Sequence, residues 1–359
     1  MDTFAATTSP AHGPASADGT ASPGLRAAPA ERERLLDIDR AKGLAITLVV
    51  LGHLVKSGTL GEQAWYAQLK LAIYAFHMPF FMYLSGFVFF YTGCHLRIGA
   101  AYGRLVRQRS LRLLAPFGIM LVLTIVGKTV ASHVMYVDEA PRGVGGGLYD
   151  AVFATKTSPV FSIWYLWVLF VYSVAFPVLW RLTRGSFPVI AAIALVLHAL
   201  PVADVLFADR IMGFFIFFVA GCCAAAYRQA ILPAMRRYLP LSAVVFVLAL
   251  GIVTRVPNGW DALLVVGLLS MPALHGLMLS SLVARDRILL AIGSFALAIY
   301  LFNTVFIGLA KAVYLKVLPY TGAGFVGLIV VTFIAGLFGP ILFKVLVLRR
   351  SATLDRFTS

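Results

Sequence analysis

Beyond residue 40 the sequence is a succession of apolar runs separated by short polar or glycine-rich interruptions. Each run is about 17–25 residues long, the length a helix needs to cross the hydrocarbon core of a bilayer. Ten helices are predicted, over 41–57, 70–91, 112–134, 161–181, 187–205, 211–227, 240–255, 262–283, 288–310 and 324–347. The pattern therefore predicts an all-α integral membrane protein of about ten transmembrane helices. Residues 1–34, rich in Ala, Pro, Ser, Thr and Gly and without apolar periodicity, read as a disordered cytoplasmic tail. Residues 35–348 read as one membrane domain and 349–359 as a short basic cytoplasmic tail. The first apolar run begins near Leu44, too far along for a secretory signal. That first helix is short and broken by polar residues, which makes it the weakest of the ten by hydropathy.

Composition supports the membrane reading. The chain is 60% apolar and only 13% charged, with a mean hydropathy of +0.90, against roughly a quarter charged in soluble domains. A net charge of +15 would suggest nucleic acid in a soluble protein. Here the basic residues sort by side instead, and no nucleic-acid partner is expected. With the N-terminus inside, 21 of the 30 Lys and Arg fall on the cytoplasmic side, so the positive-inside rule places both termini in the cytoplasm. Lys70, Lys156 and Arg210 are among those on the opposite side. Cys94, Cys222 and Cys223 have no metal-site or disulfide spacing, and no metal is expected. The longest outer loop, about 135–160, carries Gly143, Gly145, Gly146 and Gly147 and is expected to be mobile.

Ionisable side chains inside a span are costly and mark function. The predicted spans hold His53, His77, His198 and His275. Lys42 and His53 are eleven positions apart, almost three whole turns, so they share one helix face about 16 Å apart along the axis. The lysine would lie at the cytoplasmic mouth and the histidine deep in the span. Imidazole is a natural general base near neutral pH; a snorkelling lysine and a histidine bonded to a neighbouring helix is the plainer reading. In the second helix, Pro79 would kink the backbone, and Ser85-Gly86 offers a small surface for close helix approach. His77 would lie at a depth similar to His53, facing it. His198 and His275 are assigned structural roles.

Several segments resemble a known family. Asp39 precedes a basic residue, ten intervening positions and a histidine, Lys42 to His53. Phe81-Met82-Tyr83-Leu84-Ser85-Gly86 is similar to an aromatic Ser-Gly signature, and Arg109 to Pro116 looks like a basic entry to the third helix. Ile163-Trp164-Tyr165-Leu166 and Gly293 to Asn303 match later motifs, with Asn303 where a histidine is common. In order and spacing these resemble the membrane acyltransferase family three, bacterial enzymes that O-acylate glycans, and lean toward its fucose and exopolysaccharide O-acetylase branch. The resemblance covers nearly all of 35–348.

The resemblance implies a multi-pass protein of the bacterial inner membrane with no permanently bound cofactor. It implies acetyl-CoA or another acyl-CoA as cytoplasmic donor and a glycan or lipid-linked sugar, such as an exopolysaccharide, as acceptor. His53, with His77 nearby, would serve as base or transient acyl carrier. Lys42, Arg109 and Arg112 would clamp the donor phosphates. Ser85, Tyr300 and Asn303 would supply oxyanion donors, while Asp39 and Trp164 would line the substrate path. Since the sequence ends at Ser359 without an esterase-like domain, transfer would proceed unaided. A secondary transporter and a non-catalytic membrane sensor are the rival classes; a transporter would favour inverted repeats, and none is visible.

Overall fold

The computed structural model describes residues 35–55, 63–133, 137, 140–255, 259–318 and 321–358. The predicted tail over 1–34 lies outside them. The rest, from Leu35 onward, is one compact unit, and every ordered element among the described residues is helical.

All ten predicted apolar segments are helical. The chain runs α1 (Leu36–His53), α2 (Ala64–Tyr74), α3 (His77–Tyr91), α4 (Ala100–Arg109), α5 (Ala115–Ala131), α6 (Gly143–Phe153), α7 (Trp164–Leu182) and α8 (Phe187–Ala199). It continues through α9 (Ala208–Ala226), α10 (Arg228–Arg237), α11 (Leu239–Val253), α12 (Trp260–Leu279), α13 (Ile288–Ser294), α14 (Ala296–Val317), α15 (Ala323–Leu346) and α16 (Ala352–Phe357). Seven helical stretches among the described residues are long and apolar enough to cross a membrane, and α10 with α11, bent by 74°, forms an eighth if taken as one span. The charges Asp37, Asp39, Arg40 and Lys42 at the start of α1, and the 13-residue length of α8, keep these two below that threshold. The protein is a multi-pass membrane protein.

The breaks follow the backbone chemistry. Proline has no N–H to give the carbonyl four residues earlier. Pro79 would otherwise bond Ala75, and the predicted 70–91 helix divides at Ala75–Phe76 into α2 and α3. Pro116 likewise cannot serve Arg112, and Ser110–Leu114 forms a π turn in which the Ala115 N–H reaches the Ser110 carbonyl. Such turns are frequent at functional sites. The glycine-rich loop was expected to be mobile, but it folds as α6. Gly147 is the reason: it brings α6 against Ile125 of α5 with no room for a side chain. The short C-terminal tail is partly helical as well, held where Lys344 Nζ donates to the Thr358 carbonyl at 2.6 Å.

Helices in lipid gain little from apolar burial against one another, so close backbone packing carries their association. Two glycine pairs provide it. A methyl group on Gly43 would collide with the Leu289 carbonyl, and one on Gly293 with the Asp39 carbonyl, so α1 and α13 touch backbone to backbone. Gly86 and Gly221 stand in the same relation to the Phe218 and Tyr83 carbonyls, joining α3 to α9. The Cys222 thiol donates to the Gly86 carbonyl at 3.4 Å across that contact. The small surface predicted at Ser85-Gly86 is therefore a true helix contact. Gly86→Ala and Gly43→Ala should each lower the melting temperature in detergent by the equivalent of roughly 1–3 kcal/mol or more. Gly251→Ala, where nothing lies within 4 Å, should not; equal behaviour of all three would refute the packing argument.

Candidate active site

The site is built on the end of α1. A helix ending inside a membrane leaves carbonyls that water cannot reach, and α2 supplies the donors. The Tyr66 hydroxyl donates to the Leu51 carbonyl at 2.8 Å, the Tyr74 hydroxyl to Gly52 at 2.9 Å, and Lys70 Nζ to Val55 at 2.6 Å. Tyr66 also accepts the Val55 N–H at 3.2 Å. His53, the last residue of α1, is fixed by this cap.

Its ring is held from the opposite side by α14. His53 Nδ1 lies 3.0 Å from Asn303 Oδ1. The Asn303 amide nitrogen donates to the Ile299 and Tyr300 carbonyls, both at 2.8 Å, so the oxygen is the atom that faces the imidazole. An amide oxygen only accepts. The proton therefore sits on His53 Nδ1, and Nε2 carries the lone pair. Asn303 thus orients the histidine; with both amide hydrogens committed, it does not match the expected oxyanion donor.

His77 is set in the same tautomer, with Nδ1 donating to the Ile73 carbonyl at 2.8 Å. The Tyr74 ring, whose hydroxyl caps Gly52, lies 5.1 Å from the His77 ring. The two histidines thus meet through Tyr74 at the junction of α1, α2 and α3. Deeper in, Ser85 Oγ donates to the Phe81 carbonyl at 2.9 Å and accepts from the Tyr165 hydroxyl. The Tyr165 backbone N–H donates to the Tyr300 hydroxyl at 3.2 Å. Ser85, Tyr165, Tyr300 and Asn303 therefore form one connected wall leading to His53. Ser85 spends its proton on its own helix, which weakens its case as an oxyanion donor. Tyr300 accepts in its bond to Tyr165 and keeps a hydroxyl proton to donate.

The basic residues divide. Lys42 Nζ lies 3.3 Å from Asp39 Oδ1, and the lysine side chain is about one-third exposed (32%). Arg40, by contrast, is buried and donates to the Asp286 and Ala284 carbonyls at 3.2 and 2.5 Å, tying α1 to the turn before α13. Arg109 lies over the Phe89 ring at 5.5 Å and donates to Cys94 Sγ at 3.3 Å. Burial pushes the Cys94 thiol pKa up, but the Thr92 hydroxyl and the Arg109 and Arg97 guanidiniums outweigh it, and the net shift is downward. Arg112 sits in the π turn, one helical turn from Arg109.

One set of residues was missed. The Tyr83 hydroxyl lies 2.7 Å from His275 Nδ1, and His275 Nε2 lies 3.0 Å from Asp37 Oδ2. This chain ties α3, α12 and the first turn of α1 together, with His275 wholly buried. The structural assignment of His275 fits, but nothing local in the sequence pairs a carboxylate and a histidine 238 positions apart. His198 is structural too, its ring nitrogens 2.6 and 3.1 Å from the Gly213 and Trp260 carbonyls. Among the described residues no group of three or more His, Cys, Asp or Glu could hold a metal ion.

Residues 35–344 match the acyltransferase domain that defines the acyltransferase 3 family, and the chain belongs to that family. It is similar to nodulation protein NolL of Mesorhizobium japonicum, 31% identical over 173 residues, or 47% of this chain and 42% of the relative. It is also similar to nodulation protein NolL of Sinorhizobium fredii, 33% identical over 138 residues, or 38% and 34% respectively. The chain spans less than half the length of these curated relatives. No solved structure matches.

Removing His275 should deprive Asp37 and Tyr83 of the buried imidazole they share. His275→Ala is expected to cost about 3 kcal/mol or more of stability, read as a lowered detergent melting temperature. Lys42→Ala, which removes one partly exposed ion pair, should cost under about 1 kcal/mol. Comparable losses would refute the structural role of the Asp37–His275–Tyr83 chain.

Proposed function

We propose that this protein is a membrane O-acyltransferase that transfers acetyl groups and works in the bacterial inner membrane. It takes an acyl group from cytoplasmic acyl-CoA and places it on a hydroxyl of an extracytoplasmic or lipid-linked glycan. The observation that carries this reading is the His53–Asn303 hydrogen bond. A histidine whose Nδ1–H is held by a fixed oxygen presents Nε2 as a base, the arrangement that recurs in acyl transfer on unrelated folds.

In this mechanism His53 Nε2 takes the proton of the acceptor hydroxyl as its oxygen attacks the thioester carbonyl. A carbon–oxygen bond forms, and the tetrahedral oxyanion is met by the Tyr300 hydroxyl. The carbon–sulfur bond then breaks, the ester is released, and the proton passes from His53 to the coenzyme A thiolate. Lys42, Arg109 and Arg112 receive the donor phosphates. Asp39 holds Lys42 extended for that contact. His77 supports the base through Tyr74, and Ser85 keeps Tyr165 and hence Tyr300 in place. Acyl-CoA cannot cross a bilayer, so a donor taken from one side and an acceptor from the other would account for the chemistry being housed in a membrane protein.

Purified protein given radiolabelled acetyl-CoA and a glycan panel tests this directly. Wild type should transfer label to glycan, and His53→Ala should lose at least about 100-fold in rate. Lys42→Ala should raise the KM for acetyl-CoA several-fold while leaving the KM for acceptor unchanged. No consumption of the thioester by wild type would refute the function. Full activity of His53→Ala would refute the mechanism.

A further inference from the structure

At the end of the bundle where the positive-inside rule places the cytoplasm, α10 departs from the direction of its neighbours. It is bent by 74° from α11, whose Leu241, Val244, Val247, Leu248 and Ile252 are exposed, as side chains facing lipid would be. With α11 crossing the bilayer, α10 lies close to the membrane plane. Its level is set by α12 and α3. A methyl group on Gly276 would meet the Met235 carbonyl, and Met235 Sδ lies 3.9 Å from the Tyr83 hydroxyl. Gly276 follows His275, which bonds Asp37 in the first turn of α1, so α10 sits at the height where α1 begins.

The two faces of α10 differ as those of an interfacial helix do. Ile231, Leu232 and Met235 pack on the core, while Arg228, Arg236 and Arg237 are exposed and no residue of the helix is fully buried. Basic residues on the polar face of an in-plane helix meet anionic headgroups. Tyr227 and Tyr238, exposed at its two ends, are rings of the kind that favour the headgroup level. Between α10 and the end of α12 lies a groove of about 550 Å³, lined by Leu232, Pro233, Arg236, Arg237 and Leu279. Ligand pockets span roughly 300–1,000 Å³. The groove is open to the outside, since both of its arginines are exposed. Among the described residues neither guanidinium makes a hydrogen bond or an ion pair; that of Arg237 lies over the Tyr238 ring at 5.5 Å.

Two adjacent cations beside Leu232, Pro233 and Leu279 call for an anion joined to a hydrocarbon. A guanidinium binds phosphate through two parallel hydrogen bonds. Water or free phosphate would meet the arginines and leave the apolar floor uncovered. An anionic phospholipid covers both, and basic pockets between helices on the cytoplasmic side are where such lipids bind. We propose that Arg236 and Arg237, with Leu232, Pro233 and Leu279, hold one anionic phospholipid of the cytoplasmic leaflet. Its phosphate lies on the guanidiniums and one acyl chain starts along the leucines, while the rest of the lipid stays in the bilayer. The site is independent of the acyl-transfer reading and needs neither donor nor acceptor. Its occupancy braces α10 against α12 at Met235, beside the buried Asp37–His275–Tyr83 chain.

The full chain in a neutral detergent would be titrated with phosphatidylglycerol and, separately, with phosphatidylcholine. Native mass spectrometry counts the lipid retained, and the melting temperature reads its effect on the fold. Phosphatidylglycerol should bind saturably and raise the melting temperature, and phosphatidylcholine should bind about tenfold more weakly or less. The double variant Arg236→Gln/Arg237→Gln should weaken phosphatidylglycerol binding roughly tenfold or more. Both side chains are exposed, so without lipid this variant should melt as wild type does. Arg104→Gln/Arg107→Gln removes the same charge from exposed positions of α4 and should leave the affinity unchanged. Coenzyme A and inorganic phosphate should not displace the lipid. No saturable phosphatidylglycerol binding in wild type overturns the site. Equal weakening by the two double variants overturns it too, because binding would then follow net charge alone. Displacement by coenzyme A or by phosphate would make the groove a site for soluble phosphates and overturn the lipid assignment.

Discussion

A helix that stops inside a bilayer must find donors for its last carbonyls, and in this protein that requirement places the His53 ring. α1 ends at His53, and Tyr66, Lys70 and Tyr74 of α2 take up the carbonyls of Leu51, Val55 and Gly52. The cap holds the imidazole at a set height and angle, and Asn303 then fixes its tautomer from across the bundle. The same tyrosine that caps Gly52 lies beside His77. Satisfying the backbone and orienting the His53 ring are therefore one structural event.

The remaining architecture keeps α1 and α3 in register with the helices that complete the site. Gly43 and Gly293 let α1 and α13 touch, which sets the start of the α13–α14 span that carries Tyr300 and Asn303. Gly86 and Gly221 do the same for α3 and α9, next to Ser85. The motif glycines thus serve packing, while their neighbours Lys42 and Ser85 bond Asp39 and Tyr165. The buried Asp37–His275–Tyr83 chain adds a polar lock between α1, α12 and α3.

Much of this was legible along the chain. Apolar run length located every long helix, the eleven-residue spacing put Lys42 and His53 on one face, and Pro79 marked the break above α3. What was not legible depends on partners distant in sequence. Asn303 reads as a departure from a family pattern until its amide is seen committed to its own helix, leaving the oxygen for His53. His275 looks like an isolated polar residue in an apolar run until Asp37 appears beside it. The rings of Phe161, Trp164, Phe214 and Trp260 that surround Arg210 come from three separated stretches, none with a local signature. The glycines at 143–147 suggested a loose loop because composition cannot show that Ile125 awaits them.

In the proposed transfer Asn303 acts through His53, and a double-mutant cycle on acetyl transfer tests this directly. Asn303→Ala should slow single-turnover transfer by about tenfold or more in the wild-type background. In a His53→Ala background the same change should have almost no further effect, because the histidine it orients is gone. Additive losses in the two backgrounds would show that Asn303 works independently of His53 and would contradict the account.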